Sequence, residues 1–266
     1  SRTRRGPPCL DPTVRRGPRS RAIARSVSPW LSDLAGAWIF YSVLPAWPWL
    51  SPRFQRIARF APWIGLVIGA LQALLCWGLL QLGWSTGAAA PLVIALGIWL
   101  SGGLHHDGLM DTADGLAAGP ERCLEAMEDS RVGASGVLAL VMVLMLQLGA
   151  LIQLGPAAPA ALVMAGVWSR VAPLWAMARF AYLRPDGTAG FHRRHGRPLW
   201  DALPSAAVLL VLAMVQSPVM LLSGAPVAVA VAEGLGRRLG EHTGDTYGAV
   251  LVLTEAFTLV LLALAI

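Results

Sequence analysis

Lysine is absent from this chain: all 21 basic residues are arginine. That reads as genome composition and carries no mechanism. Cysteine is nearly absent. Cys9, Cys76 and Cys123 are scattered, odd in number and without a C-x-x-C spacing, which argues against a disulfide framework and against a zinc site. Cys76 reads as a small core or lipid-facing residue. Charge is scarce at 14% of residues. No alternating pattern suggests a β-strand, and no repeat stands out beyond a loose alternation of helical hairpins. Ser1–Ser28 is rich in Arg and Pro, but no apolar stretch follows its arginines directly, so it is no secretory signal. It reads as a disordered tail or a misassigned start.

Apolar sequence dominates instead, at 56% of residues with a mean hydropathy of +0.59. The expected fold is an all-α, polytopic membrane bundle, one domain over residues 29–266 behind the tail 1–28. Trp30–Leu50 is apolar but broken by Pro45 and Pro48 and dotted with Trp38, Trp47 and Trp49. That suits an interfacial or re-entrant segment. About seven spans follow: Phe60–Leu82, Ala89–Leu104, Gly133–Leu154, Ala157–Ala178, Leu203–Ser223, Ala225–Gly236 and Thr246–Ile266. The links Gly83–Ala88, Gly155–Pro156 and Gly224 carry no charge, whereas the alternate links and the tail carry nearly every arginine. By the positive-inside rule the N-terminus and the charged links are expected on the cytoplasmic side of a bacterial inner membrane. The net charge of +6 comes mainly from the first 25 residues, which hold eight Arg against one Asp, and gives no argument for nucleic acid.

The acids are not spread evenly. Ser101–Gly136 holds seven of the fifteen carboxylates: Asp107, Asp111, Asp114, Glu121, Glu125, Glu128 and Asp129. Asp107, Asp111 and Asp114 stand at i, i+4 and i+7, one face of a helix. Carboxylates that close repel unless a hard cation joins them, and Mg²⁺ or Mn²⁺ prefers such oxygen ligands. A solvated acidic loop is the plainer alternative, but Leu104, Leu109, Met110 and Leu116 are poor composition for one. The expected metal set is Asp107, Asp111 and Asp114.

Other residues suit an anionic ligand. Asp129-Ser130-Arg131 offers a guanidinium fork for phosphate oxygens, or else a salt bridge between Arg131 and Asp129 or Glu128. Arg170 lies inside an apolar segment, where an unpaired charge is costly. An aspartate, a substrate phosphate, Glu233 or Glu255 are its candidate partners, and snorkelling is the alternative. The link Arg179–Trp200 carries Arg184 within Arg-Pro-Asp-Gly, then His192, His195 and several arginines. It suits a phosphorylated nucleoside or is an ordinary cytoplasmic link. Glu241–Thr246 brings small residues and Asp245 to the head of the last span. There Gly244 allows close approach, and Asp245 suits a metal ion or a ribose hydroxyl.

GGLHHDGLMDTADG, MEDSRVGASG, RPDGTAG and HTGDTYGA, in that order, resemble cobalamin synthase (adenosylcobinamide-GDP ribazoletransferase), from about Trp38 to the C-terminus. The chain departs from that family's usual pattern at His106, Thr188–Gly190 and Glu241. The resemblance implies transfer of adenosylcobinamide phosphate from adenosylcobinamide-GDP to α-ribazole or its 5′-phosphate, with release of GMP. It implies a lipid bilayer, the corrinoid nucleotide and the ribazole as partners, with other corrinoid-pathway enzymes beside them. It also implies Mg²⁺ or Mn²⁺ on Asp107, Asp111 and Asp114, charge relief by Arg131 and Arg170, and a carboxylate, His105 or His106 as base. Asp129, Ser130, Arg184, Gly244 and Asp245 would then contact substrate. Two rivals rank below it. A CDP-alcohol phosphotransferase needs an Ala-Arg soon after its first aspartates, and Asp111 is followed by none. An ion-coupled transporter needs carboxylates near mid-span.

Overall fold

The computed structural model describes residues 28–183, 190 and 195–265. The tail, Arg184 with its Arg-Pro-Asp-Gly motif, His192, Arg193 and Arg194 lie outside the described residues. The rest is helical, with one isolated backbone bridge between Tyr182 and His242 and no strand among the described residues.

Helix α1 (Pro29–Tyr41) leads through an extended stretch and a 3₁₀ turn at Ile57–Phe60 into α2 (Ala61–Gln81). Ser85 then caps α3 (Thr86–Leu100) by accepting the Ala88 N–H. Gly102 and Gly103 follow with φ of 63° and 71°, a left-handed turn that glycine makes without strain. The chain bends there by 91° into α4 (Leu104–Ala118). At ~1.5 Å per residue α3 is ~22 Å long, short of a ~30 Å hydrocarbon core. The expected span Ala89–Leu104 is therefore the first half of a bent unit whose second half carries the aspartates.

A short helix α5 (Cys123–Glu128) links to α6 (Ala134–Leu154), and Gly155 with φ of 53° breaks the chain before α7 (Ala158–Arg179). The last helices are α8 (Pro198–Asp201), α9 (Leu203–Ala213), α10 (Pro218–Leu222), α11 (Gly224–Leu239) and α12 (Gly244–Leu264). Here two expectations fail. The span Leu203–Ser223 breaks at Met214–Ser217, because Ser217 and Pro218 form a start signal in which the Ser217 hydroxyl accepts the Met220 N–H. Helix α9, at ~16 Å, is then too short to cross. Gly224 is no link either: Ser223 keeps helical angles, and Pro218–Leu239 forms one apolar stretch of 22 residues.

Four helical stretches are long and apolar enough to cross a membrane, five with the bent pair α3–α4. One of them, Ala134–Arg179, runs 46 residues and is two crossings folded back. On the way out, Val143 shares one core cluster with Ala249 and Val252 of α12, and Leu154 shares another with Leu262. On the way back, Ala158 and Leu162 belong to the cluster of Leu259 and Leu262, and Ala176 to that of Tyr247 and Val250. The count of seven is not reached among the described residues. Helix α12 is the axis of the bundle, with 67% of its most apolar window buried against 22–33% for the other candidate spans.

Small residues set the closest crossing. A Cβ on Gly65 of α2 would stand 2.1 Å from the Gly166 carbonyl oxygen of α7, so the two backbones touch. A buried carboxylate ties down the N-terminal segment: Asp33 accepts from Arg53 at 2.7 Å and from Arg59 at 2.7 Å. Arg56 reaches Asp201 of α8 at 2.6 Å.

Candidate active site

Helix α4 lies against the first turns of α12, and glycine allows the approach. A Cβ on Gly108 would meet the Asp245 carbonyl oxygen at 2.6 Å, and one on Gly248 would meet the His105 carbonyl oxygen at 3.2 Å. The start of α12 is held by a capping box: Thr243 and Thr246 each accept the other's backbone N–H through their hydroxyls. That fixes Gly244 and Asp245 against α4.

The result is a cleft with about 720 Å³ of empty space, partly open to solvent. Asp107 and His105 of α4, Arg170 of α7, and Gly244 and Asp245 of α12 all line it. Phe40, Tyr41, Leu174 and Met177 supply apolar wall. Asp111 lies one turn beyond Asp107, and the charges of Asp107, Asp245 and Asp114 all reach it. Five residues expected to touch substrate or metal (Asp107, His105, Arg170, Gly244 and Asp245) thus converge from three helices.

Arg170 is buried and pairs with Glu255 of α12 at 2.8 Å. Ser169 Oγ accepts from the same nitrogen at 2.8 Å, and the Gly166 carbonyl at 3.3 Å. The guanidinium borders both the cleft and a deeper polar chamber with Gln72, His106, Gln147 and Glu255. His105 also borders both, under the Tyr41 ring at 6.2 Å. Its Nε2 is buried without a partner among the described residues.

Asp114 is placed differently from its expected set. One oxygen accepts the Gly133 N–H at 2.7 Å and the other the Gly136 N–H at 2.8 Å. The first amides of α6 have no partner inside their own helix, and a carboxylate satisfies them and the helix dipole together. Asp114 therefore docks α4 onto α6. Among the described residues no three His, Cys, Asp or Glu side chains stand ready-made around a metal position.

Arg131 and Asp129 do not border the cleft. Arg131 forks onto Asp129 at 2.6 Å in the exposed link before α6, and holds the Asp129 carboxyl down at about 2. Ser130 between them is exposed. On the loop before α12, His242 is wholly buried, its Nδ1 2.9 Å from the Thr246 hydroxyl, and burial pushes its pKa down to about 4. It stacks on Tyr247 and supports the bridge to Tyr182.

Sequence reasoning missed Asp33. It is the only acid between Asp11 and Asp107, followed by three arginines at spacing three, and that isolation was the available signal.

The family model described as cobalamin-5-phosphate synthase matches residues 33–263. An adenosylcobinamide-GDP ribazoletransferase of Prochlorococcus marinus (strain MIT 9303) is 60% identical over 250 residues, covering 88% of this chain and 96% of that protein. One of that name from Trichormus variabilis is 37% identical over 246 residues, covering 88% of this chain and 97% of that protein. No solved structure matches the chain.

Proposed function

The chain belongs to the cobalamin-5-phosphate synthase family, and from that premise we propose how its residues carry out the reaction. It joins adenosylcobinamide-GDP to α-ribazole or its 5′-phosphate in the last steps of cobalamin synthesis. The ribose 3′-oxygen of the ribazole attacks the cobinamide-linked phosphorus. The P–O bond to GMP breaks, GMP leaves with that bond's electron pair, and the hydroxyl proton passes to a base.

Such a step needs charge neutralisation, in-line placement and proton removal. One observation carries the reading: carboxylates and a guanidinium from three helices, Asp107, Asp245 and Arg170, line a single cleft. Arg170 would take the charge of the equatorial oxygens, with Glu255 and Ser169 holding its fork in place. Asp107 and Asp111 would hold a Mg²⁺ or Mn²⁺, with Asp245 of α12 as a further oxygen donor in the same cleft. The donors fit a hard cation: all are oxygens, and no arginine among the described residues pairs with Asp107 or Asp111. When bound, the metal supplies Lewis-acid relief of pyrophosphate charge. Asp114, its oxygens committed to α6, positions α4. His105 borders the cleft with an unpartnered Nε2 and is our assignment for the base. Arg131 would meet the nucleotide from outside the cleft. We place this site on the cytoplasmic side of a bacterial inner membrane, the side the arginine-rich links favour.

The test is turnover by detergent-purified protein given adenosylcobinamide-GDP and α-ribazole, with Mg²⁺ or with EDTA, following GMP and corrinoid product. Metal-dependent product that vanishes in Asp107→Asn supports reaction and site together. Turnover that persists in Asp107→Asn removes Asp107 from the ligand set and leaves the reaction standing.

A further inference from the structure

A second cleft, with about 880 Å³ of empty space, opens on the other side of the first turn of α12. The wall between the two is thin. Gly244, Asp245, Tyr247 and Gly248 line the first cleft, while Thr243 and Thr246 line the second. Helix α4 serves both in the same way. Its Leu104–Asp107 end borders the first and its Gly115–Gly119 end the second, with Asp111 on the stretch between.

Resting on the transfer reaction above, we propose that this second cleft seats the acceptor, a nucleoside with a planar, uncharged aromatic base. A group transfer between two large reactants needs two seats that converge on the reacting phosphorus, one for the donor and one for the acceptor. The first cleft holds the charge-handling groups and suits the pyrophosphate. The second combines polar groups with a continuous apolar wall. Leu116, Leu124, Met127 and Leu239 give it an apolar wall, which suits a neutral ring. Gly115 lies against Met127, where a Cβ would stand 2.4 Å from Met127 Cγ, so the floor of the cleft is already close-packed. Its charged lining residues are Glu241 and Arg238. Glu241 can accept from ribose hydroxyls, and Arg238, exposed and without a carboxylate partner among the described residues, complements a 5′-phosphate. The occupant is thus α-ribazole or its 5′-phosphate, its ribose end toward α12 and Asp111.

Cys123 lines this cleft and gives a readout that needs no turnover. Cys76 is buried in the core, so in a Cys9→Ser protein a membrane-impermeant maleimide reports on Cys123. At ten times its dissociation constant, α-ribazole or its 5′-phosphate should slow labelling about tenfold by simple occupancy. Adenosylcobinamide-GDP alone should leave the rate unchanged. In Arg238→Gln, protection by the 5′-phosphate should need about tenfold more ligand relative to protection by α-ribazole. Protection by the corrinoid nucleotide, or by neither ribazole, overturns the assignment, and an unshifted ratio in Arg238→Gln removes the phosphate from its edge. Product without protection defeats the second cleft alone. Protection without product defeats the transfer reading and leaves the cleft as a nucleoside site.

Discussion

Glu255 of α12 holds the guanidinium of Arg170 on α7 at 2.8 Å, with side chains only 16% and 4% exposed. Breaking such a pair strands one charge in the bundle, at a cost of about 3–5 kcal/mol. Arg170→Met and Glu255→Leu should each lower the thermal midpoint in detergent sharply. The double variant should recover most of that loss, because paired charges and packed apolar groups are often close in energy. Turnover should stay lost in the double variant, since the cleft no longer holds a cation for phosphate. A double variant as unstable as either single one would show that the pair itself supplies net stability.

Asp107 and Asp114 are two helical turns apart on α4, yet they should respond to substitution in opposite ways. Asp114 satisfies two amides of α6, so Asp114→Ala should cost roughly 0.5–2 kcal/mol of stability, as for a lost helix cap. Asp107 is exposed in the cleft. Asp107→Asn should leave the melting midpoint in place and reduce kcat about a hundredfold or more. Thermal melts beside steady-state kinetics on both variants separate the docking role from the chemical one.

The contrast shows what could be read from sequence. Spacing put Asp107, Asp111 and Asp114 on one face of a helix, and the helix is there. Spacing could not say that the N-terminal amides of α6 would take the third carboxylate, because that depends on where another helix begins. Apolar runs located α2, α6, α7 and α12 to within a few residues. They did not reveal the 91° bend at Gly102–Gly103, since two glycines permit a turn without specifying its angle. Glu255 was visible as one of several partners for Arg170. Only the crossing of α7 and α12 selects it over Glu233, which pairs with Arg179 and Arg237 instead.

The Asp129–Arg131 pair should be silent in pH titrations near neutrality. Arg131 holds the Asp129 carboxyl at about 2, below its ordinary 3.8. A depressed carboxylate contributes its stabilisation above the ordinary value and loses it as pH falls through the folded one. Between roughly pH 5 and 9 the pair therefore stays charged, and any acid limb in the kcat profile should persist in Asp129→Asn. Both groups are exposed, so Arg131→Ala should leave the melting midpoint unmoved. If Arg131 meets the nucleotide, the same variant raises KM for adenosylcobinamide-GDP. An unchanged KM would assign Arg131 to the exposed pair alone.

A close steric constraint lies beside Arg170, where α2 crosses α7. An alanine at Gly65 places its Cβ 2.1 Å from the Gly166 carbonyl oxygen and 2.7 Å from Arg170 Cδ. The first contact is with backbone, which cannot swing aside, so the helices must separate. Overpacking of this kind costs about 1–3 kcal/mol or more. Helix α7 also carries Arg170, so the displacement reaches the cleft. Gly65→Ala should thus lower both stability and turnover, whereas Gly78→Ala on the same helix, with open space around it, should lower neither. Thermal melts and kinetics on the two variants test this. Equal behaviour of the pair would mean that α2 and α7 can part without cost, and that Arg170 is positioned by Glu255 and not by the helix crossing.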